Sequence, residues 1–284
     1  MPLVSIIMNC HNCAKYLKEA LDSVYQQTYK DYEIIFYDNQ STDDSAKIAQ
    51  SFGEPLKYYL APEFIPLGAA RNAAIDKASG KYIAFLDCDD IWLPEKLEKQ
   101  IALMESNTAL GLVYSDCYIV DSTCKPSGKT VFDSVKPLRD MAFIELFQAN
   151  PVALSTAVTT KHALVTIGDF NRNYEIAEEY DLWLRIADQF AIDYVDEPLG
   201  KYRVHSQSAT SKNRLLTYKE GLQIRNKWLI KNPALKKELG GRCKALKLWP
   251  TFLGAVGNIL RNRNIKSIKE SCGLLIFICQ LKNH

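Results

Sequence analysis

The feature that most constrains this chain is an alternation running through its first 120 residues. Short apolar, β-branched runs are each followed by a polar cluster and then by a segment with helical spacing. Leu3 to Met8 reads as a buried strand, Asn9 to Asn12 as a loop, and Ala14 to Gln27 as a helix presenting Tyr16, Leu17, Ala20, Leu21 and Val24 on one face. Tyr32 to Tyr37 is a second strand ending at Asp38, after which Ser41-Thr42-Asp43-Asp44 offers a helix start. Leu56 to Leu60 is a third strand, and Leu67 to Ala78 a helix stopped by Gly80. Tyr82 to Leu86 is a fourth strand, running into Asp87-Cys88-Asp89-Asp90. Pro94 opens a helix over 95–106, and Leu112 to Val120 is a fifth strand. Strands alternating with helices in this way form a parallel sheet with helices on both faces. Ligands of such sheets bind at the carboxyl ends of the strands. The polar clusters after the first, second and fourth strands therefore share one edge, which is where a site is expected.

The second half is less regular. Residues 122–136 read as a hairpin or loop, 140–148 as a short helix, and 180–189 as a helix preceded by Glu178 and Glu179. Ile192 to Val195 and Leu199 to Val204 read as two strands. Past Ser211 the chain turns helical and basic. Residues 1–210 carry 19 Lys/Arg against 30 Asp/Glu, a net of −11, whereas 211–284 carry 16 against 3, a net of +13. Such a split implies two parts with different surroundings.

The eight cysteines are irregularly spaced, and Met1 leads straight into a strand pattern with no signal peptide, so a reducing, cytoplasmic setting is expected. Cys10 and Cys13 form a C-x-x-C. A zinc site built from two such pairs needs a second, which Cys272 and Cys279 do not supply, so buried thiols at a strand end are expected. No apolar run reaches the ~18 residues of a spanning helix.

Chemistry concentrates in Asp87-Cys88-Asp89-Asp90. In extended backbone, residues 87 and 89 point to one side, and two carboxylates there can hold a hard cation such as magnesium or manganese. The alternative is an acidic turn capping the next helix; the position at the ligand edge favours the cation. Arg71 could bind phosphate bidentately or form an ion pair. Asp38 could accept a hydrogen bond from a base or ribose, or cap a turn with Ser41 and Asp43. Neither a G-x-G-x-x-G after a strand nor a G-x-x-x-x-G-K-[ST] is present.

Six segments in order resemble the family-2 glycosyltransferases, the inverting class with the GT-A fold: Val4 to Asn12, Asp38 to Asp43 (D-N-Q-S-T-D), Gly68 to Asn72 (G-A-A-R-N), Phe85 to Asp90 (F-L-D-C-D-D), Glu178 to Arg185 (E-E-Y-D-L-W-L-R) and Tyr202 to His205 (Y-R-V-H). The resemblance spans roughly residues 3 to 208. It implies an α/β fold with a mixed, mainly parallel sheet flanked by helices. Residues 1–210 would be the catalytic domain, with a Rossmann-like nucleotide-sugar-binding half over 1–120 and an acceptor-side half over 121–210. Residues 211–284 would be a basic helical extension. The resemblance further implies that Asp38 contacts the nucleobase, Asp87 the ribose or the metal-bound diphosphate, and that Arg71 steadies the nucleotide. Asp89 would be the principal ligand of a manganese or magnesium ion, with Asp87 beside it, and His205 would reach the diphosphate or metal. Glu179 matches the family's catalytic base. Three departures stand out: Asn39 for the second acid of D-D, Gln40 for Gly, and Glu for Asp at the base position. The nearby Glu178 and Asp181 leave the register of that base open. A glutamate at a helix start is expected to be held ionised by the helix dipole.

The implied reaction is metal-assisted single displacement of a sugar from a nucleotide diphosphate donor, a UDP-sugar by preference, onto a hydroxyl of a cell-surface or lipid-linked glycan. A general base and charge stabilisation on the leaving diphosphate meet the needs of that chemistry. Two alternatives are a catalytically silent sugar-nucleotide-binding scaffold and a sugar-1-phosphate nucleotidyltransferase. The latter would carry a Gly-rich, basic first loop, which Asn9-Cys10-His11-Asn12 is not. In the tail, Trp228, Leu229, Leu248, Trp249, Phe252 and Leu253 interleave with Lys and Arg, as in a basic region lying on an anionic membrane at the inner face of the cell membrane. The other reading is a helical appendage on the core. No nucleic-acid recognition motif is present.

Overall fold

The computed structural model describes residues 1–239. They fall into two compact units divided between Ser206 and Gln207. The first unit follows the expected alternation closely. β1 (Val4–Cys10), α1 (Ala14–Tyr25), β2 (Tyr32–Asp38), α2 (Ser45–Gln50), β3 (Leu56–Leu60), α3 (Leu67–Ile75) and β4 (Tyr82–Phe85) come first. β5 (Ile91–Trp92), α4 (Lys96–Ser106), β6 (Leu110–Val120), β7 (Pro126–Thr130) and α5 (Phe143–Gln148) come next. The unit closes with β8 (Val158–Thr160), α6 (Lys161–Ile167), α7 (Glu178–Ala187) and β9 (Ala191–Arg203).

The strands form one sheet in the order β3-β2-β1-β4-β8-β6-β9-β5, with β7 paired to β6. β3, β2, β1 and β4 are mutually parallel. Past β4 the order is the mixed one that the family resemblance implies: β8 runs antiparallel to both β4 and β6, and β5 antiparallel to β9. The sheet is therefore mixed, and only β6 and β9 restore a parallel pair there. The two strands expected near residues 192 and 204 are one, β9, whose pairing with β6 shifts register around Asp116. Such irregularities bend a strand without ending it.

Chain order reverses between β1 and β4, because β1 leads outward through β2 and β3 before the chain returns to β4. In open α/β sheets, ligands occupy the crevice at such a switch point. Val4, Ile6, Met8, Ile34, Phe36 and Ala84 are fully buried beside Leu17, Leu21 and Val24 of α1, so the switch point rests on a rigid core. Gly80 does not stop α3, which has ended at Ile75. It lets the chain pass β1, where an added Cβ would lie 2.6 Å from the Ser5 amide nitrogen.

The second unit contains α8 (Ala209–Lys212), α9 (Arg214–Lys231) and α10 (Pro233–Glu238). Trp228 is buried and Leu229 half-buried. Leu248, Trp249, Phe252 and Leu253 lie outside the described residues. Among those described, no helix is long and apolar enough to cross a membrane.

Candidate active site

The sheet edge at the carboxyl ends of β1, β2 and β4 is assembled by side chains that tie neighbouring loops together. Asp43 accepts hydrogen bonds from the amides of Ala14 and Ser45, joining the starts of α1 and α2 (both 3.0 Å). Asn12 accepts from the Thr42 amide at 2.8 Å. Asp38 is fully buried, with one oxygen accepting from the Ser41 amide (2.8 Å) and the other from the Tyr58 hydroxyl (2.7 Å). Its carboxylate thus builds the turn after β2, the capping role that the sequence offered beside the base contact. Asn39, in place of the family's second acid, bridges to the Ile65 backbone through both ends of its amide.

The acidic segment after β4 departs from the extended geometry expected of it. The strand ends at Phe85, and the Asp90 amide donates to the Asp87 carbonyl (3.1 Å), closing a tight turn. Exposure still alternates: Asp87 and Asp89 are partly exposed, while Cys88 and Asp90 are buried. The inward Asp90 accepts from the Ser155 hydroxyl (2.6 Å) and the Arg203 amide (2.8 Å), and burial pushes its carboxyl well above the usual range. Burial, reinforced by Asp89 and opposed by Arg71, also raises Asp87.

Arg71 is buried, and its guanidinium donates to Glu178 of α7 and to Asp87 (3.1 Å). It also lies over the Phe170 ring, 5.5 Å from its centroid. Its charge therefore joins α3, α7 and the acidic turn and offsets their acids. The ion pair that the sequence offered as an alternative is formed here, with two carboxylates. Asn72 holds the same arrangement from below by exchanging hydrogen bonds with the Phe170 backbone (both 2.9 Å).

Glu178 and Glu179 open α7 but face different surroundings. Glu178 is buried against Arg71; Glu179 is half-buried. Burial, aided by the charges of Glu178 and Asp87 and opposed by Arg71, pushes Glu179 up to about 8. The helix dipole does not prevail over desolvation, contrary to the sequence expectation. Asp181 is turned away, accepting from Arg185 at 2.8 Å. Of the three acids, Glu179 is the partly exposed one, and it feels the charge of Asp87.

The last motif closes the site. His205 Nε2 is 2.9 Å from an oxygen of Asp89, and its ring lies 5.0 Å from Tyr16. Arg203, given no role by the sequence reading, is buried and donates to the Asp89 carbonyl (2.7 Å), the Ser122 carbonyl (3.3 Å) and Glu19 (2.8 Å). It lies over the Tyr16 ring at 4.4 Å. The available signal was its place between Tyr202 and His205 in the motif; its partners are remote in sequence. Two partly exposed carboxylates with an imidazole against one of them are a donor set that suits a hard divalent cation.

Residues 5–137 match the family described as Glycosyl transferase family 2. An uncharacterized glycosyltransferase of Methanocaldococcus jannaschii is 32% identical over 230 residues, covering 76% of this chain and 77% of that one. The Escherichia coli UDP-Glc:alpha-D-GlcNAc-diphosphoundecaprenol beta-1,3-glucosyltransferase WfgD is 30% identical over 234 residues, covering 81% of this chain and 88% of its own. Among solved structures, the mannosyltransferase PcManGT of Pyrobaculum calidifontis, in complex with GDP-Man and Mn2+, aligns with a TM-score of 0.67 at 18% identity, over 100% of this chain and 81% of that one. That last likeness concerns the fold, a mixed sheet flanked by helices. With relatives at this identity across most of both chains, and with the six ordered motifs meeting on one sheet edge, the protein belongs to the family-2 glycosyltransferases and is a glycosyltransferase of the GT-A fold.

Proposed function

We propose that the chain transfers a sugar from a UDP-sugar onto a hydroxyl of a lipid-linked or cell-surface glycan with inversion, Glu179 acting as base. The observation that carries this reading is the sorting of acids at the edge: Glu178 is engaged by Arg71 and Asp181 by Arg185, whereas Glu179 is partly exposed and near enough to Asp87 to feel its charge. Asp87 and Asp89 would hold a manganese or magnesium ion, with His205 orienting Asp89. Such a cation, when bound, supplies charge stabilisation on the departing diphosphate. Glu179 takes the proton of the acceptor hydroxyl as its oxygen attacks the anomeric carbon and the bond to the diphosphate breaks. Arg71 holds Asp87 and Glu178 in place. Asp38 supports the nucleotide pocket by building the turn after β2.

The UDP-Glc donor and diphosphoundecaprenol-linked acceptor in the name of the Escherichia coli relative support the donor and acceptor classes, and the Mn2+ bound by PcManGT supports the cation. The experiment is a panel of nucleotide-sugars assayed by thermal shift with manganese, followed by calorimetry on Asp89→Asn. A UDP-sugar should bind wild type in a manganese-dependent way, and Asp89→Asn should abolish that binding while remaining folded. Unchanged binding in the variant removes Asp89 as the cation's anchor.

The positive balance of residues 211–284 supports a peripheral position on an anionic membrane, where such acceptors lie. Truncation after Ser211 should weaken sedimentation with anionic vesicles at fixed salt. A folded, truncated chain that sediments equally well counts against the membrane role.

A further inference from the structure

The C-x-x-C that sequence spacing left without partners acquires one in three dimensions. Cys88, between the two outward acids of the turn after β4, comes against Cys10 at the end of β1 and Cys13 at the start of α1. Ligand atoms of the three lie within 4.8 Å of one another. All are free thiols; Cys10 and Cys88 are buried, and Cys13 is half-buried. We propose that Cys10, Cys13 and Cys88 form a binding site for a soft, thiophilic cation, zinc in the first place, separate from the carboxylate site on the other side of the same turn.

Three observations carry this. The spacing of Cys10 and Cys13 is the usual chelating spacing of zinc-binding cysteine pairs. Sulfurs bound tetrahedrally at ~2.3 Å lie roughly 3.8 Å apart, so the three thiols need to close by only about 1 Å. The site also stands on rigid elements: β1 and β4 are paired, with Ile7 opposite Phe85, and the Leu86 amide donates to the Ile7 carbonyl (3.1 Å). Softness separates the two sites. Sulfur selects zinc or Cu(I), whereas the carboxylates of Asp87 and Asp89 select magnesium or manganese. Cys13 is the partly exposed member of the three, and the hydroxyl of Ser41, 3.6 Å from Cys10 Sγ, or a water can take the fourth position. Each thiol gives up its proton as its sulfur–metal bond forms, so loading releases protons with no oxidant or reductant.

The test uses the reduced full-length chain and cobalt(II) alone as a probe of the zinc site. One equivalent should give sulfur-to-cobalt charge-transfer absorption in the near ultraviolet. Zinc should displace it, and excess magnesium should not. The band should vanish in Cys10→Ser and in Cys88→Ser, and persist in Cys117→Ser and in the chain carrying Cys243→Ser, Cys272→Ser and Cys279→Ser. If either cluster variant fails to fold by circular dichroism, X-ray absorption on the zinc-loaded form of that tail-substituted chain decides, since it counts ligands directly. Three sulfurs support the site; two or fewer overturn it. No band in the reduced wild type, or a band surviving Cys88→Ser, also overturns it. So does a protein that forms a Cys10–Cys13 disulfide in air but never binds cobalt when reduced, which would make the pair redox-active instead.

Discussion

The turn from Asp87 to Asp90 has two sides, and so does the first turn of α7. On the outer side, Asp87, Asp89 and Glu179 keep part of their carboxylate surface open and meet few protein donors. On the inner side, Asp90 is held by Ser155 and the Arg203 amide, and Glu178 by Arg71. Neighbouring residues of the same chemical type thus do opposite work. The inner acids fix the backbone because unsatisfied buried donors are costly. The outer acids remain available because the inner ones have already set the position of the turn and the helix.

Exchanging function between the sides should fail, and the largest effect belongs to the outer pair member. Glu179→Gln keeps size but cannot accept a proton, and turnover should fall by ~10²–10⁴-fold with donor affinity little changed. Glu178→Gln should alter turnover far less and show mainly as lost stability. Steady-state kinetics and donor calorimetry on both variants check this. A dead Glu178→Gln with a near-normal Glu179→Gln would reverse the comparison and shift the base by one residue; if both stay active, Asp181 is next.

The inner side of the acidic turn should respond the other way. Asp90→Ala leaves the Ser155 hydroxyl and the Arg203 amide without their acceptor, each worth ~1–3 kcal/mol when buried. A stability loss of about 2–6 kcal/mol in urea unfolding is expected. A variant as stable as wild type would show that the turn does not depend on its inner acid.

The smallest effect sharpens the comparison through pH. Glu179 must be ionised to act as base, and burial raises it to about 8. Only about a tenth is then ionised at pH 7, and turnover should rise roughly tenfold toward high pH before levelling. A bound divalent cation favours the ionised form, so raising manganese should move this limb to lower pH. The limb should be absent from the slow residual rate of Glu179→Gln. A profile that is flat in wild type from pH 6 to 9 would mean that the group is already ionised throughout.

Much of the parallel half was legible in the residues. β1, β2, β4 and α1 are local patterns, each long enough for periodicity to declare itself, and each lies within a few residues of its expected bounds. β5 and β8 were not legible, being two and three residues long and defined only by partners remote in sequence. β9 read as two strands because Asp196-Glu197-Pro198 interrupts the apolar pattern, although pairing with β6 carries the strand through.

For the site, the sequence by itself determined which residue types stand at the strand ends, in what order, and so the family and its chemistry. Hydrophobic period and motif order are properties of the chain, and they survive without coordinates. What only the tertiary structure decided is which acids face inward. Asp38 and Glu178 look as available as Asp89 and Glu179 in one dimension, yet Tyr58 and Arg71 engage them from elsewhere in the chain. The same holds for Cys88, which becomes the third member of a C-x-x-C cluster only because β1 and β4 are neighbours in the sheet. Burial and long-range pairing depend on which surfaces meet, and a local pattern does not encode that.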